Sequence, residues 1–229
     1  MEFVMNKTSN RSHGTKSTAQ TAKRIREKNN KSRGKSQKQR RIIMSTAVIL
    51  VILFTVTGVR LYRRYIYVGK RQLSEQVLAY KDMLESSASR HGLEDYVDYL
   101  LAIMQVESGG QGKDVMQSSE SAELPPNSLD PEASIEQACV YFDELLGYKE
   151  RYGVDLDSLI QSYNYGPSYM RYVRDNGGKH TAELASNYAE EKSGGQKKKY
   201  NNAIAIRANG GWRYAYGNMF YVELVKQYL

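Results

Sequence analysis

One carboxyl group in this 229-residue chain stands where ionisation is costly. Glu107 lies four residues after Ile103 and eight after Tyr99, on an apolar helical face that also carries Tyr96, Leu100 and Met104. After Ser108, Gly109-Gly110 mark the end of that helix. A carboxylate there loses water to apolar neighbours and sits at the negative end of the helix dipole. Both effects raise its pKa, and a carboxyl that keeps its proton near neutrality can donate it to a leaving oxygen. The plainer reading of the same spacing is a helix-terminal Glu turned out to solvent, and spacing by itself leaves both open. Other chemistries lack a constellation. His13, His91 and His180 are dispersed, there is no His-Glu-x-x-His, and the glycine pairs do not follow a strand as a phosphate loop would. The single cysteine, Cys139, excludes both a disulfide framework and a Cys-rich metal site. The expectation is therefore no metal and no nucleotide or other cofactor.

The elements that must position Glu107 read as helices. From Gln72, Leu73, Val77, Tyr80 and Leu84 recur at three- and four-residue steps up to a stop at His91-Gly92. This first helix packs on the domain or pairs with a second chain, and core packing is the simpler reading. The Glu107 helix follows, then a loop from Ser108 to about Ala133 holding Gly109, Gly110, Gly112, Pro125, Pro126 and Pro131. A loop that long in a compact domain is often functional. Helix resumes at Ser134, with Ser134-Ile135-Glu136-Gln137 as a capping box and Ile135, Ala138, Cys139, Phe142, Leu145 and Leu146 facing inward. Shorter helical patterns cover Leu156 to Tyr163, Ser168 to Arg174, Thr181 to Glu191, Tyr200 to Arg207 and Gly217 to Tyr228. No run of alternating residues argues for strands, so the domain is expected to be all-α.

Charge divides the chain. Residues 1–41 carry 13 Lys/Arg against 2 acids, and residues 72–229 carry 15 against 23. Between them Ile42 to Val59 is an uncharged stretch rich in Ile, Val, Leu and Phe, just long enough to span a bilayer as a helix. Thr55-Val56-Thr57-Gly58 makes a poor cleavage site, which favours an uncleaved anchor over a signal peptide. The basic excess before the span, weighed against Arg60, Arg63, Arg64, Lys70 and Arg71 after it, places the N-terminus in the cytoplasm and the C-terminal domain outside. Four segments follow: a basic tail over 1–41, a transmembrane anchor over 42–59, a juxtamembrane linker over 60–71 and one domain over 72–229. The tail has no aromatic residue after Phe3 and is expected to be disordered. Its charge suits topology and anionic lipid headgroups, and without stacking aromatics it implies no specific nucleic acid.

Three blocks in order over residues 93–229 carry a family likeness. Gln105-Val106-Glu107-Ser108-Gly109-Gly110 with Asp114-Val115-Met116-Gln117-Ser118-Ser119-Glu120-Ser121 resembles the active-site block of the goose-type lysozyme and lytic transglycosylase superfamily. The nearest likeness is to the CwlT-like branch of membrane-anchored peptidoglycan hydrolases of Gram-positive bacteria. Ser162-Tyr163-Asn164-Tyr165-Gly166 is similar to that family's Ala-Tyr-Asn-x-Gly block, and Tyr216-Gly217-Asn218 through Tyr221-Val222-Glu223 to Val225 is similar to its closing segment.

The resemblance implies a lysozyme-like fold that cleaves the MurNAc-β-1,4-GlcNAc bond of peptidoglycan. It implies Glu107 as the general acid, with Ser108, Met116, Gln117 and Ser119 shaping the sugar cleft. Tyr163 and Asn164 would contact the acid or an N-acetyl group, and Tyr221 would be a polar aromatic wall beside the carboxyl. Met116 and the tyrosines equally suit core packing, and Asn164 to Pro167 equally suits a turn. Hydrolysis usually needs a second carboxylate, for which Asp114 and Glu120 are the candidates. Without one, the family chemistry is non-hydrolytic and closes a 1,6-anhydro ring on muramic acid, which is the outcome expected here. A hydrolytic muramidase, or a non-catalytic glycan-binding module recruiting wall-synthesis or division proteins, are the rival readings. Lys197-Lys198-Lys199 reads as a solvated loop, with contact to anionic wall polymer as the alternative.

Overall fold

The computed structural model describes residues 14–66 and 70–229 and divides into two compact units, Met1–Tyr62 and Arg63–Leu229. His13 and the rest of residues 1–13 lie outside the described residues. The first unit is built on α1 (Gly14–Ile66), which carries residues 14–41 of the basic tail and the apolar stretch as one helix. This departs from the disordered tail expected over 1–41 and from the boundary drawn at residue 60. The cause is compositional: Lys, Arg, Gln and Ala are good helix formers, and extending a helix needs no second nucleation. An 18-residue stretch of α1 has a mean hydropathy of 2.5, long and apolar enough to cross a membrane. Within it the hydroxyls of Thr55 and Thr57 return to the carbonyls of Val51 and Leu53, so these polar groups are satisfied inside the helix, as an apolar surround demands.

In the second unit Ser74 caps α2 (Glu75–Leu78), and the chain breaks at Ala79-Tyr80 before α3 (Lys81–Arg90). The single helix expected there is thus two, and both Val77 and Leu84 reach the core. At the centre lies α4 (Val97–Glu107), whose residues Leu100 to Met104 are all buried. A helix buried on every side in its middle has lost the freedom to rotate, which fixes where its last residue points.

Against α3 packs α5 (Pro131–Tyr152), burying Ile135, Ala138, Cys139, Phe142 and Leu145 as the periodicity predicts. Its cap is Asp130, whose carboxylate accepts from Ala133 N at 2.9 Å with Pro131 in the first turn. The capping box expected at Ser134 is therefore wrong: Ser134 is fully buried one turn in, and Glu136 turns to α3. There Glu136 accepts from Ser87 Oγ at 2.6 Å and pairs with Arg90 and His91. The hydrogen bonds from Ser87, His91 and Arg90, together with the Arg90 charge, outweigh partial burial and hold the Glu136 carboxyl down at about 2.

The remaining helices are α6 (Leu156–Tyr165), α7 (Ser168–Asp175), α8 (Ala182–Ser193), α9 (Ala203–Asn209) and α10 (Tyr221–Lys226). One antiparallel ribbon interrupts them, β1 (Lys197–Lys199) with β2 (Trp212–Tyr214), in the register Lys197 to Tyr214, Lys198 to Arg213 and Lys199 to Trp212. The lysine run is therefore a strand and not the loop expected, because three residues are too few to show an alternating pattern.

Candidate active site

Glu107 is held at its helix end from two directions. Ser108 N and Gly109 N both donate to Met104 O at 3.0 Å, which closes α4. Gly109 and Gly110 then turn the chain at positive φ, and a Cβ at Gly110 would lie 2.7 Å from the Gln76 carbonyl carbon. Only glycine lets the chain pass so close to the backbone of α2. From the other side Ser74 N donates to Gln105 Oε1 at 2.6 Å, and Ser74 Oγ donates to Gly109 O at 3.2 Å.

Tyr221, the first residue of α10 and 1% exposed, donates its hydroxyl to Glu107 Oε1 at 2.5 Å. Burial pushes the Glu107 carboxyl up to about 7, against the pull of the Tyr221 hydrogen bond and with a push from the Asp114 charge. Loss of solvent is the largest of the three, even though the side chain keeps partial access to its cavity. The Tyr221 phenol is itself pushed well above its ordinary pKa, first by burial and then by the Glu107 charge, so it stays a donor. Tyr163 on α6 is buried beside it and donates to Met116 O at 3.1 Å.

Asp114 has the opposite environment. One oxygen accepts from Ser118 N at 2.9 Å and Ser134 Oγ at 2.6 Å, the other from Ser119 N at 3.0 Å and Ser119 Oγ at 2.5 Å. Burial pushes its pKa up, but the bonds from Ser119, Ser134 and Ser118 outweigh that and hold the carboxyl below its usual value. With both oxygens engaged, Asp114 organises the loop and has no oxygen left to serve as a second acid. Ser119 is fully buried, and its hydroxyl accepts from Ser128 N and Leu129 N at 3.1 and 3.3 Å. Ser108 Oγ donates to Val115 O at 2.6 Å, and Met116 is fully buried. Asp114, Met116 and Ser119 are thus buried in the loop's own scaffold, Ser108 is half-buried and bonded to it, and none of the four lines the cavities that flank Asn164.

Two cavities meet at Asn164. One of about 280 Å³ is lined by Gln117, Ser118, Glu120, Ser121, Tyr141, Tyr163, Asn164, Tyr165 and Gly166. The other, about 300 Å³, is lined by Val106, Glu107, Asn164, Lys198, Arg213, Gly217, Asn218 and Tyr221. Asn164 Oδ1 accepts from Asn218 N at 2.6 Å, which turns its NH2 end into a donor for the cavities. A Cβ at Gly217 would come within 2.5 Å of the Tyr165 ring and 2.7 Å of Asn164 Oδ1, so this close approach needs glycine. Glu120 is exposed and belongs to the first cavity, whereas Glu107 belongs to the second.

The lysozyme-like family model matches residues 74–229. The chain belongs to the lysozyme-like family. Among its relatives, the uncharacterized membrane protein YocA of Bacillus subtilis is 38% identical over 157 residues, 67% of this chain and 68% of YocA. The bifunctional muramidase/DL-endopeptidase CwlT of the same organism is 34% identical over 69% of this chain, which spans only 43% of CwlT. A crystal structure of a Staphylococcus aureus protein, similar to lipoprotein of the NLP/P60 family, superposes with a TM-score of 0.69 at 60% identity, covering 69% of this chain and 54% of that one.

In this lysozyme-like domain the residues drawn together at the two cavities are Glu107, Tyr221, Tyr163, Asn164, Gln117 and Glu120 of those singled out in the sequence. Gln117, at φ 49°, is fixed by bonds from its amide to Asp114 O and Asn127 Oδ1, both at 2.8 Å. Tyr141, Lys198, Arg213 and Asn218 were not anticipated as lining residues. Asn218 lies inside a block that carries the family likeness. Tyr141 sits on the predicted α5 but off its apolar face, and Arg213 carries no local signal at all.

Proposed function

We propose that this domain cleaves the MurNAc-β-1,4-GlcNAc bond of peptidoglycan as a lytic transglycosylase, with Glu107 as both acid and base. The observation that carries the reading is a carboxyl whose pKa is raised to about 7, anchored by Tyr221 in a cavity that holds no second carboxylate among the described residues. Glu107 donates its proton to the bridging oxygen, and the GlcNAc side leaves as an alcohol. The resulting carboxylate then takes the proton from the muramic-acid 6-hydroxyl as that oxygen bonds to C1, closing a 1,6-anhydro ring and restoring the acid. Attack from within the same sugar replaces part of the help a second carboxylate would give a water molecule. Asn164 and Tyr163 line the path as polar contacts for the N-acetyl groups.

Hydrolysis is the second reading, favoured by the muramidase activity in the name of CwlT. It requires Glu120 to act on water from the neighbouring cavity. Mass spectrometry of digested peptidoglycan separates the two: products lighter by one water, with Glu120→Gln less damaging than Glu107→Gln, are expected. Full-mass reducing ends together with a dead Glu120→Gln would make the protein a muramidase, and release of nothing would leave a glycan-binding module.

The apolar helix and the membrane-protein relative point to membrane anchoring. The proposed orientation keeps the basic segment inside and the lysozyme-like domain outside. Protease added to intact wall-stripped cells should digest the domain and spare the N-terminal segment; a protected domain would overturn this orientation and with it the access to peptidoglycan.

A further inference from the structure

The ribbon presents a like-charge pair to the Glu107 cavity. Lys198 and Arg213 are direct partners across the β1–β2 ladder, and both line the cavity that holds Glu107. Directly opposed residues share one face of a ribbon with Cβ atoms about 5 Å apart, where two cations repel and destabilise the pair. Among the described residues neither forms an ion pair. Arg213 stacks over the Tyr200 ring at 5.3 Å, and its Nε and Nη1 are buried without a hydrogen-bond partner. Lys197, on the opposite face, is by contrast seated on the Trp212 ring at 4.0 Å. The Arg213 guanidinium charge is left without a carboxylate partner among the described residues, and two cations that line one cavity, Lys198 being exposed, suit an anion from outside the chain.

We propose that Lys198 and Arg213 form an anion subsite beside Glu107 that takes a carboxylate of the bound glycan strand. The strand offers that chemistry from two sources: a carboxylate of the attached peptide, or the lactyl carboxylate of a muramic-acid unit that carries no peptide, since attachment turns the lactyl group into an amide. The inference rests on the glycan reading of the cavity, but it concerns affinity and not cleavage. The subsite would make the domain discriminate strands by their acidic substituents and would orient the muramic-acid unit relative to Glu107.

The test uses the full chain, solubilised in detergent, carrying Glu107→Gln so that bound strands stay intact. Affinity is measured for native muropeptide strands, for strands whose carboxylates are capped as methylamides, and for strands stripped of peptide so that only the lactyl carboxylate remains. Native strands should bind about tenfold or more tightly than capped ones, the usual worth of a charge-assisted hydrogen bond. That ratio should fall towards one in Lys198→Gln and in Arg213→Gln. Lys198 is exposed, so its variant keeps the test readable where Arg213→Gln disturbs the ribbon. Native strands preferred over capped ones assign the anion to the peptide, and stripped strands preferred over capped ones show that the subsite takes the lactyl carboxylate freed by removing the peptide. Ratios to capped strands near one for both native and stripped strands without either substitution, or ratios undiminished in both variants, overturn the subsite. Cleavage by the unsubstituted protein is scored separately, so a failed subsite and a failed glycosidic reading give different results.

Discussion

Glu107→Gln should make the protein inactive and, above about pH 4.5, more stable. The carboxyl is raised from an ordinary value of 4.5 to about 7, chiefly by burial. Such a shift means that the folded state holds a proton which the unfolded chain has already released between those two values. Stability is therefore full below about pH 4.5 and declines as pH rises to about 7, beyond which the loss is constant. At about 1.4 kcal/mol per pKa unit the shift corresponds to roughly 3 kcal/mol, trimmed towards 2 by the water that the open cavity admits. Glutamine keeps the size and can still accept from Tyr221, but it has no charge to desolvate. Urea denaturation followed by the fluorescence of Trp212, the single tryptophan, should thus give matching curves for the two proteins near pH 4 and a growing advantage for the variant up to pH 7 to 8. Release of muropeptides should fall at least a hundredfold in the same variant. A stability difference that does not change with pH would show that Glu107 is not perturbed, and near-normal release would remove it from the chemistry.

Two further outcomes test the groups around that acid. Tyr221→Phe removes the donor that favours the Glu107 carboxylate, so the Glu107 pKa should climb and the alkaline limb of the activity profile should move up by about one unit, the lower range for a hydrogen bond to a charged group; an unmoved limb would mean the bond is absent in solution. Asp114→Asn puts an amide NH2 among donors and should cost roughly 2 to 4 kcal/mol at neutral pH, with faster hydrogen exchange at Ser118 and Ser119. Because the Asp114 pKa is lowered, the stability it supplies is present above its ordinary value of 3.8 and is lost as pH falls through its folded value. A pH-independent, near-zero difference would contradict the scaffold role.

The sequence was most legible where a helix buries a regular face. The apolar spacing around α4 located both the helix and the odd position of Glu107, and the pattern over Ile135 to Leu145 gave the inner face of α5. Legibility failed where the deciding partner is distant. Asp114 looked like a second acid because nothing nearby in sequence reveals that Ser134, on α5, bonds its carboxylate. The same distance hid Lys198 and Arg213, which only the ribbon places opposite each other. In the tail, a run of Lys, Arg and Gln is equally a solvated chain and a good helix, so composition did not choose between them.

Glu107 and Asp114 lie close in the chain, yet their environments drive their pKa values apart, and that separation bears on the reaction class. Asp114 is pinned as an anion by four donors, so its charge persists through neutrality and pushes the Glu107 pKa upward. Its influence is thus exerted through its field and through the loop it folds, without an oxygen available to a reacting atom. Two carboxyls with divergent pKa values usually mark an acid and its partner in the same step. Here the second member is locked into the scaffold, which leaves one carboxyl in the Glu107 cavity able to exchange a proton at neutral pH. On the proposed reading, a cavity so equipped can both give and recover one proton within a single turnover, but it has no second base with which to activate water. On that reading the nucleophile comes with the substrate, as the hydroxyl group of the cleaved sugar itself, and needs no further catalytic residue.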